Sequence, residues 1–269
     1  MVKTSIGFQI GKILIPYYGS FIVLGIAVAA IVGTIFIKKY QKNIYDFIAL
    51  AAITVLGGFL GAKLLYLIVS WKEIDFSRLT EPEYFDRLMQ GGFVFYGGLI
   101  GGLICLFFVN KKMDIDVKEY IKICIPCVPI AHGFGRLGCN AVGCCYGKAY
   151  DGVGAIVYHD SMFAPNNISL FPVQLTEAVA ELLLAGILCL YIAKSKNPKY
   201  SLPIYLGLYS VIRFFLEYFR ADENRGKTGI FYTSQWISLV IFAGVVLYCI
   251  QQVISTLKRE KGYDKIKKN

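Results

Sequence analysis

The chain has 269 residues, 56% hydrophobic and 17% charged, with a formal net charge of +10. A soluble domain of this length carries more charge than that, so the composition excludes an ordinary water-soluble enzyme. It also weighs against nucleic-acid binding, because the apolar residues come in runs near the ~20 needed to cross a bilayer.

Taken in chain order, the predicted spans are Tyr17–Ile37, Phe47–Trp71, Gly91–Val109, Ile121–Gly138, Pro172–Ala193, Leu202–Phe219 and Gln235–Ile254. The reading is an all-α polytopic membrane protein of about seven transmembrane helices with a lipid-accessible central cavity. The fourth span is short. One membrane domain over residues 1–257 and a basic cytoplasmic tail over 258–269 account for the whole sequence. The first span is too long for the core of a signal peptide. It runs into Lys38 and Lys39 rather than a polar cleavage region, which predicts a retained anchor.

Charge sets the predicted orientation. With the N-terminus outside and seven alternating spans, the inner segments hold Lys38, Lys39, Lys42, Lys111, Lys112, Lys118, Lys122, Lys194, Lys196, Lys199 and six basic residues after Ile254. The inner acids are only Asp46, Asp114, Asp116, Glu119, Glu260 and Asp264, while the outer segments nearly balance. This is the positive-inside asymmetry, and it puts the C-terminus in the cytoplasm. The basic tail then suits anionic inner-leaflet lipids.

Away from the span ends, five charges fall inside the spans: Lys63, Glu177, Glu181, Arg213 and Glu217. Each costs ~2.5–3.5 kcal/mol at the centre of a lipid-facing helix, so they should face the protein interior. Lys63 can snorkel to the interface or pair with a glutamate. Glu177 and Glu181 are four residues apart, share a face and repel unless one is protonated or each has its own cation. On the sixth span Tyr209, Arg213, Glu217 and Arg220 fall within a predicted arc of roughly 80° on one helix face. Arg213 and Glu217 can form a structural i,i+4 pair. Arg220 then leaves surplus positive charge at the outer boundary, where a guanidinium suits a phosphate.

Residues 132–147 read His-Gly-Phe-Gly-Arg-Leu-Gly-Cys-Asn-Ala-Val-Gly-Cys-Cys-Tyr-Gly. Gly133, Gly135, Gly138, Gly143 and Gly147 around Arg136 admit two readings. One is an anion site at a helix end, and the other is a glycine-rich packing helix followed by a loop. Gly97, Gly98, Gly101 and Gly102 after Tyr96 predict a close helix contact. Of eight cysteines, Cys105, Cys124, Cys127, Cys189 and Cys249 read as small hydrophobes inside spans. Cys139, Cys144 and Cys145, clustered near His132, leave four readings open: a disulfide, an activated thiolate, a zinc site and three tolerated small residues.

These motifs together resemble the prolipoprotein diacylglyceryl transferase family, over nearly the whole chain. Pro16-Tyr17-Tyr18-Gly19 resembles the family's opening, and Gly57 to Tyr66 its Gly-Ala-basic helix, with Lys63 for the usual Arg. Phe95-Tyr96-Gly97-Gly98-Leu99-Ile100-Gly101 is similar to Phe-His-Gly-Gly-Leu-Ile-Gly. Gly135-Arg136-Leu137-Gly138 opens the family signature, which ends at Tyr146-Gly147. Pro172 to Glu177 resembles Pro-Ser/Thr-Gln-Leu-Tyr-Glu, and Tyr209 to Asp222 the Tyr…Arg-Phe…Glu…Arg…Asp segment. The departures are Cys139, Val142 and Cys144 for two Asn and a Glu, Tyr96 for a His, and Thr176 for a Tyr.

The resemblance implies a bacterial inner-membrane enzyme. It would transfer the diacylglyceryl group of phosphatidylglycerol to the lipobox cysteine of a preprolipoprotein and release glycerol-1-phosphate. It implies catalytic roles for Arg136, Tyr96, Arg213, Glu217 and Arg220. Substrate contacts would come from Tyr18, Gly98, Gly135, Gly138, Gln174, Glu177 and Tyr209. Cys139, Cys144, Cys145 and His132 would form a thiol cluster beside them. It implies no metal and no soluble cofactor. The thiol's base is left open between Tyr96, His132 and a cysteine thiolate. Other classes consistent with the residues are a paralogous lipid transferase with a different acceptor, a thiol-redox or metal-handling membrane protein, and a transporter, for which no internal repeat is visible.

Overall fold

The computed structural model describes residues 2–3, 6–11, 13–90, 94–221 and 226–267, with the side chains of 2–3, 13, 87, 90, 95 and 258–267 outside the description. Asp222, the last residue of the family-like segment, lies outside the described residues, as do Gly91 at the start of the third expected span and the last two residues of the basic tail. Contacts divide the chain into two units, Met1–Phe36 with Lys122–Asn269, and Ile37–Ile121.

Three short antiparallel strands, β1 (Val2–Lys3), β2 (Gly7–Ile10) and β3 (Ile13–Pro16), precede the helices. The helices are α1 (Tyr17–Lys39), α2 (Ile44–Val69), α3 (Pro82–Gln90), α4 (Phe95–Lys112), α5 (Val117–Cys124), α6 (Cys127–Val142), α7 (Val173–Lys194), α8 (Ser201–Leu216) and α9 (Thr233–Lys267). Five stretches are long and apolar enough to cross a bilayer: Tyr17–Lys39, Ile44–Val69, Val173–Lys194, Ser201–Phe219 and Thr233–Leu257. Much of their apolar surface faces outward, as with Val240 at 70% and Leu247 at 66% exposed on α9. Lipid rather than protein is the natural cover for such helices.

Among the described residues, five of the seven expected crossings are long and apolar enough, and the other two are shorter. At 1.5 Å per residue, the 18 residues of α4 and 16 of α6 reach only ~27 and ~24 Å, against a ~30 Å hydrocarbon core. The expected fourth span is broken where α5 stops at Cys124 and α6 restarts after Pro126.

In the smaller unit, α2 and α4 meet backbone to backbone. A Cβ on Gly61 would sit 2.3 Å from the Gly97 carbonyl oxygen, and one on Gly101 2.2 Å from that of Gly57. Both helices carry glycines four apart, and only a hydrogen fits at these four positions. Gly98 faces Gly58 and Ala62 across the same contact. Lys63 is buried, and its Nζ donates to the carbonyls of Leu88 and Met89 in the last turn of α3. The carbonyl-rich end of a helix is a favourable place for an ammonium. Nζ also lies over the Tyr66 ring at 4.9 Å, so its partners include backbone carbonyls and an aromatic face, contacts that the expected snorkelling or glutamate pair did not anticipate.

The larger unit packs α1, α6, α7, α8 and α9. Its apolar centre includes Ala29, Ile130 and Ala185, with Val28, Val32 and Phe134 against them. On α7 the inward face carries Glu177, Ala178, Glu181, Leu184, Ala185, Leu188 and Ile192, an i, i+3, i+4, i+7 pattern. Two buried carboxylates thus share a face that is otherwise apolar, and α6 and α8 must supply their partners.

Candidate active site

The site is a buried ion cluster in the larger unit. Glu177, 1% exposed, is its hub. From α6, Arg136 Nε lies 3.0 Å from Glu177 Oε2 as an ion pair, and its N–H donates to His132 Nε2 at 3.3 Å. From α8, Arg213 Nη1 stands 3.6 Å from Glu177 Oε1 while Nη2 pairs with Glu217 Oε2 at 2.9 Å. His132 Nδ1 is 3.0 Å from Glu181 Oε1, and Nε2 is 3.7 Å from Glu177 Oε1. The two α7 glutamates have separate neighbours: Arg136 and Arg213 for Glu177, His132 for Glu181. His132 thus lies between Arg136 and Glu181.

Aromatic rings close the cluster. Tyr209 lies edge-on to His132 at 5.6 Å and stacks on Tyr205 at 5.8 Å. The Nη1 of Arg213 is buried and finds no hydrogen-bond partner among the described residues. It faces Glu177 Oε1 at 3.6 Å, and an incoming anion would compete with that carboxylate for the donor.

Arg220 reaches the cluster by a route the helical periodicity does not give. The expected single helix face from Tyr209 to Arg220 is corrected. Helix α8 ends at Leu216, Glu217–Phe219 form a 3-10 turn, and Arg220 is extended with φ −81° and ψ 147°. Phe219 stacks on Phe171 at 4.6 Å, which draws the chain out of the helix. The extended segment then pairs with the end of the glycine-cysteine run. Lys148 N–H donates to Phe219 O at 2.8 Å, Ala221 N–H donates to Tyr146 O at 3.1 Å, and Gly147 bridges Arg220. A Cβ on Gly147 would meet the Phe171 carbonyl oxygen at 2.2 Å, so this pairing requires glycine. Arg220, 6% exposed, acts electrostatically on both Glu177 and Cys145, as does Arg136. The two arginines, 84 positions apart, thus serve one place.

The glycine run of α6 takes the packing reading at its helical positions. A Cβ on Gly138 would press on Tyr18 at 3.1 Å and Phe21 at 3.3 Å, and one on Gly135 would reach Ile22 at 3.5 Å, all on α1. Tyr18 is 44% exposed and lies against this surface. Gly143 ends α6 in the left-handed region at φ +81°, returning its N–H to Cys139 O at 2.9 Å.

The turn that follows is anchored from three sides. Gln174, 2% exposed, donates from Nε2 to Cys144 O at 2.9 Å and contacts Tyr158 Oη at 3.4 Å. Tyr158 Oη donates to the carbonyl oxygen of Asn140 at 3.1 Å and lies 3.2 Å from its side-chain oxygen. Burial pushes the Tyr158 hydroxyl up to about 12, so it is a permanent donor. Ser161 Oγ donates to Val142 O at 2.9 Å. Gln174 and Glu177, expected as substrate contacts, hold the turn and the ion cluster respectively.

Cys139, Cys144 and Cys145 meet there, with all three Sγ atoms within 4.8 Å of one another, and the eight cysteines are free thiols. The thiols of Cys139 and then Cys144, hydrogen-bonded to its sulfur, and the charges of Arg136 and Arg220 hold the Cys145 thiol well below the usual range. Tyr96, 40% exposed, and Gly98 belong to the smaller unit. Sequence reasoning missed Tyr158, Asn140, Ser161 and Tyr205. The first three stand at the end of α6 or in an irregular loop, where no periodicity marks them.

Membrane-crossing helices around buried arginines, glutamates and thiols define a multi-pass membrane enzyme that handles an anionic group. The chain belongs to the prolipoprotein diacylglyceryl transferase family, whose model matches residues 5–250. It is similar to a phosphatidylglycerol–prolipoprotein diacylglyceryl transferase of Clostridium tetani, with 37% identity over 91% of this chain and 96% of the relative. It is also similar to a protein of Clostridium perfringens with the same name and the number 2, with 33% identity over 88% of this chain and 91% of the relative. A Dehalococcoides mccartyi protein of that name is 28% identical over 97% of this chain and 96% of its own length.

Proposed function

We propose that the chain transfers the diacylglyceryl group of phosphatidylglycerol to the lipobox cysteine thiol of preprolipoproteins. The sulfur attacks C3 of the lipid's glycerol, forming a thioether. The C–O bond to phosphate breaks, and glycerol-1-phosphate leaves with the negative charge. The thiol's proton ends on the base or on the released phosphate.

The observation that carries this reading is that Arg136 and Arg220 both act on Cys145 and Glu177, beside an Arg213 whose Nη1 faces Glu177 at 3.6 Å without a hydrogen bond. The departing phosphate gains charge in the transition state, and fixed guanidinium groups in a dry site stabilise it. Glu217 orients Arg213, and Glu177 sets the spacing between Arg136 and Arg213. Both glutamates are positioning residues. Lipid substrate enters from the bilayer, and the acceptor is the membrane-bound signal peptide. The setting is the bacterial plasma membrane, with N-terminus outside and C-terminus inside, as the excess of inner lysines supports.

Purified protein in vesicles of phosphatidylglycerol, given a lipobox peptide, is expected to yield thioether peptide and glycerol phosphate together. Arg220→Lys keeps one charge but loses the planar fork, and should lower turnover ~100-fold or more. Its thermal stability should change far less. Absence of both products from protein that binds the lipid would sink the reading.

A further inference from the structure

The family signature places two Asn and a Glu where this chain has Cys139, Val142 and Cys144, and Cys145 follows. Three thiols therefore converge beside a site whose acceptor is itself a thiol. Cys139 is buried in the last turn of α6, while Cys144 and Cys145 are partly exposed. Helix α6 is stopped by Gly143, and the Cys144 N–H folds back to Cys139 O at 3.1 Å. Cys145 then takes φ +57°, a left-handed conformation that is uncommon outside glycine. Gln174, Tyr158 and Ser161 hold this turn from other segments. The backbone is thus held in a sparsely populated conformation that brings three sulfurs together.

The sulfur geometry fits a metal. Zinc binds thiolate at ~2.3 Å, so two ligand sulfurs of a tetrahedral ion lie ~3.8 Å apart. All three Sγ atoms are already within 4.8 Å of one another. A disulfide would join only two of them and strand the third. Thiolates select soft or borderline ions over magnesium and calcium. Three thiolates and a divalent ion carry one net negative charge, and Arg136 and Arg220 act on this spot. Among the described residues, only these three metal-ligating side chains meet there. Three protein ligands with an open fourth position is the pattern of a catalytic rather than a structural zinc site.

We propose that Cys139, Cys144 and Cys145 form a three-thiolate site for a thiophilic divalent ion of the zinc class, whose fourth position takes the acceptor's cysteine thiol. This second half rests on the transferase reading. Loading replaces the S–H bonds of whichever of the three thiols are still protonated by S–metal bonds and releases those protons to water. The incoming thiol makes the fourth S–metal bond and releases its own proton. No electron moves and no oxidant is needed. The bound acceptor sulfur is then a thiolate beside the arginines that receive the phosphate.

The test uses the full chain, reduced, in detergent and loaded with Co2+. Wild-type protein should bind about one equivalent with intense sulfur-to-cobalt absorption. Cys139→Ser, Cys144→Ser and Cys145→Ser should each weaken binding roughly tenfold or more, since each thiolate supplies a metal bond. Cys124→Ser, outside the cluster, should not. Because a serine variant could misfold, wild-type protein is also alkylated with and without Co2+. Protection of these three cysteines, read by mass spectrometry, supports the site. Protein that binds no cobalt when freshly reduced, or that binds it equally in all four variants, overturns the site, whether or not transfer proceeds. A lipobox peptide should change the cobalt spectrum and its cysteine-to-serine analogue should not. Cobalt binding without that change overturns the fourth-ligand role and leaves the transferase reading to its own assay.

Discussion

Replacing Glu177 with glutamine keeps the shape of the hub and removes its charge. Glu177 lies 3.0 Å from Arg136 and 3.6 Å from Arg213 and is 1% exposed. At an effective dielectric of ~20, each contact carries about 5 kcal/mol of Coulomb attraction before desolvation is subtracted. Desolvation of the carboxylate offsets part of this, but the substitution leaves the buried Arg136 guanidinium uncompensated, while Arg213 keeps Glu217. The expected loss is about 3–5 kcal/mol, the range found when one partner of a buried pair is removed. At about 2–4 °C per kcal/mol, the melting temperature in detergent should fall by roughly 6–20 °C. Arg136→Gln alone should cost a similar amount, because it exposes Glu177 to the opposite imbalance. The double variant should be clearly less damaged than the sum of the two, with a coupling of about 2 kcal/mol. Melting curves of the four proteins, followed by tryptophan fluorescence, measure this cycle. If the two effects add within about 0.5 kcal/mol, as independent sites do, Glu177 is not the hub described here.

Gly147→Ala forces a methyl against the Phe171 carbonyl and should cost about 1–3 kcal/mol as an overpacked contact. Because Gly147 bridges Arg220, turnover should fall more steeply than stability, as kinetics set beside melting curves would show. Gln174→Leu removes the donor to Cys144 O and should cost about 1–3 kcal/mol. Faster maleimide labelling of Cys144 would report the loosened turn, and unchanged labelling would refute the anchor. Gly61→Leu should prevent the close approach of α2 and α4, giving little monodisperse protein after detergent extraction, whereas Gly186→Ala, which has open space around it, should extract like wild type. Tyr96→Phe removes only a hydroxyl, and a general-acid or general-base role predicts a turnover loss of about 100-fold or more with melting unchanged. A loss of less than twofold would remove Tyr96 from the chemistry.

The sequence alone determined that this protein lives in a membrane, because bilayer crossing is a local requirement for about 20 apolar residues in a row. It determined that Glu177, Glu181, Arg213 and Glu217 must turn inward, because lipid solvates no charge. It also marked Gly97 and Gly101 for a close contact, because small residues four apart mark a helix face that another backbone can approach, although the Gly57 and Gly61 partners came from the structure. Only the tertiary structure decided the rest. That Lys63 belongs to the end of α3 and Glu181 to His132 depends on which helices are neighbours, and a charge in a span does not encode its partner. The place of Arg220 was legible as chemistry and not as geometry. The 3.6-residue period carries it along α8, whereas stacking of Phe219 on Phe171 ends the helix and pairs the chain with Gly147. The three thiols likewise became one cluster because Gly143 reverses the chain and Gln174 reaches across from α7 to hold it. Long-range contacts of this kind have no period along the chain, so nothing in the linear order announces them.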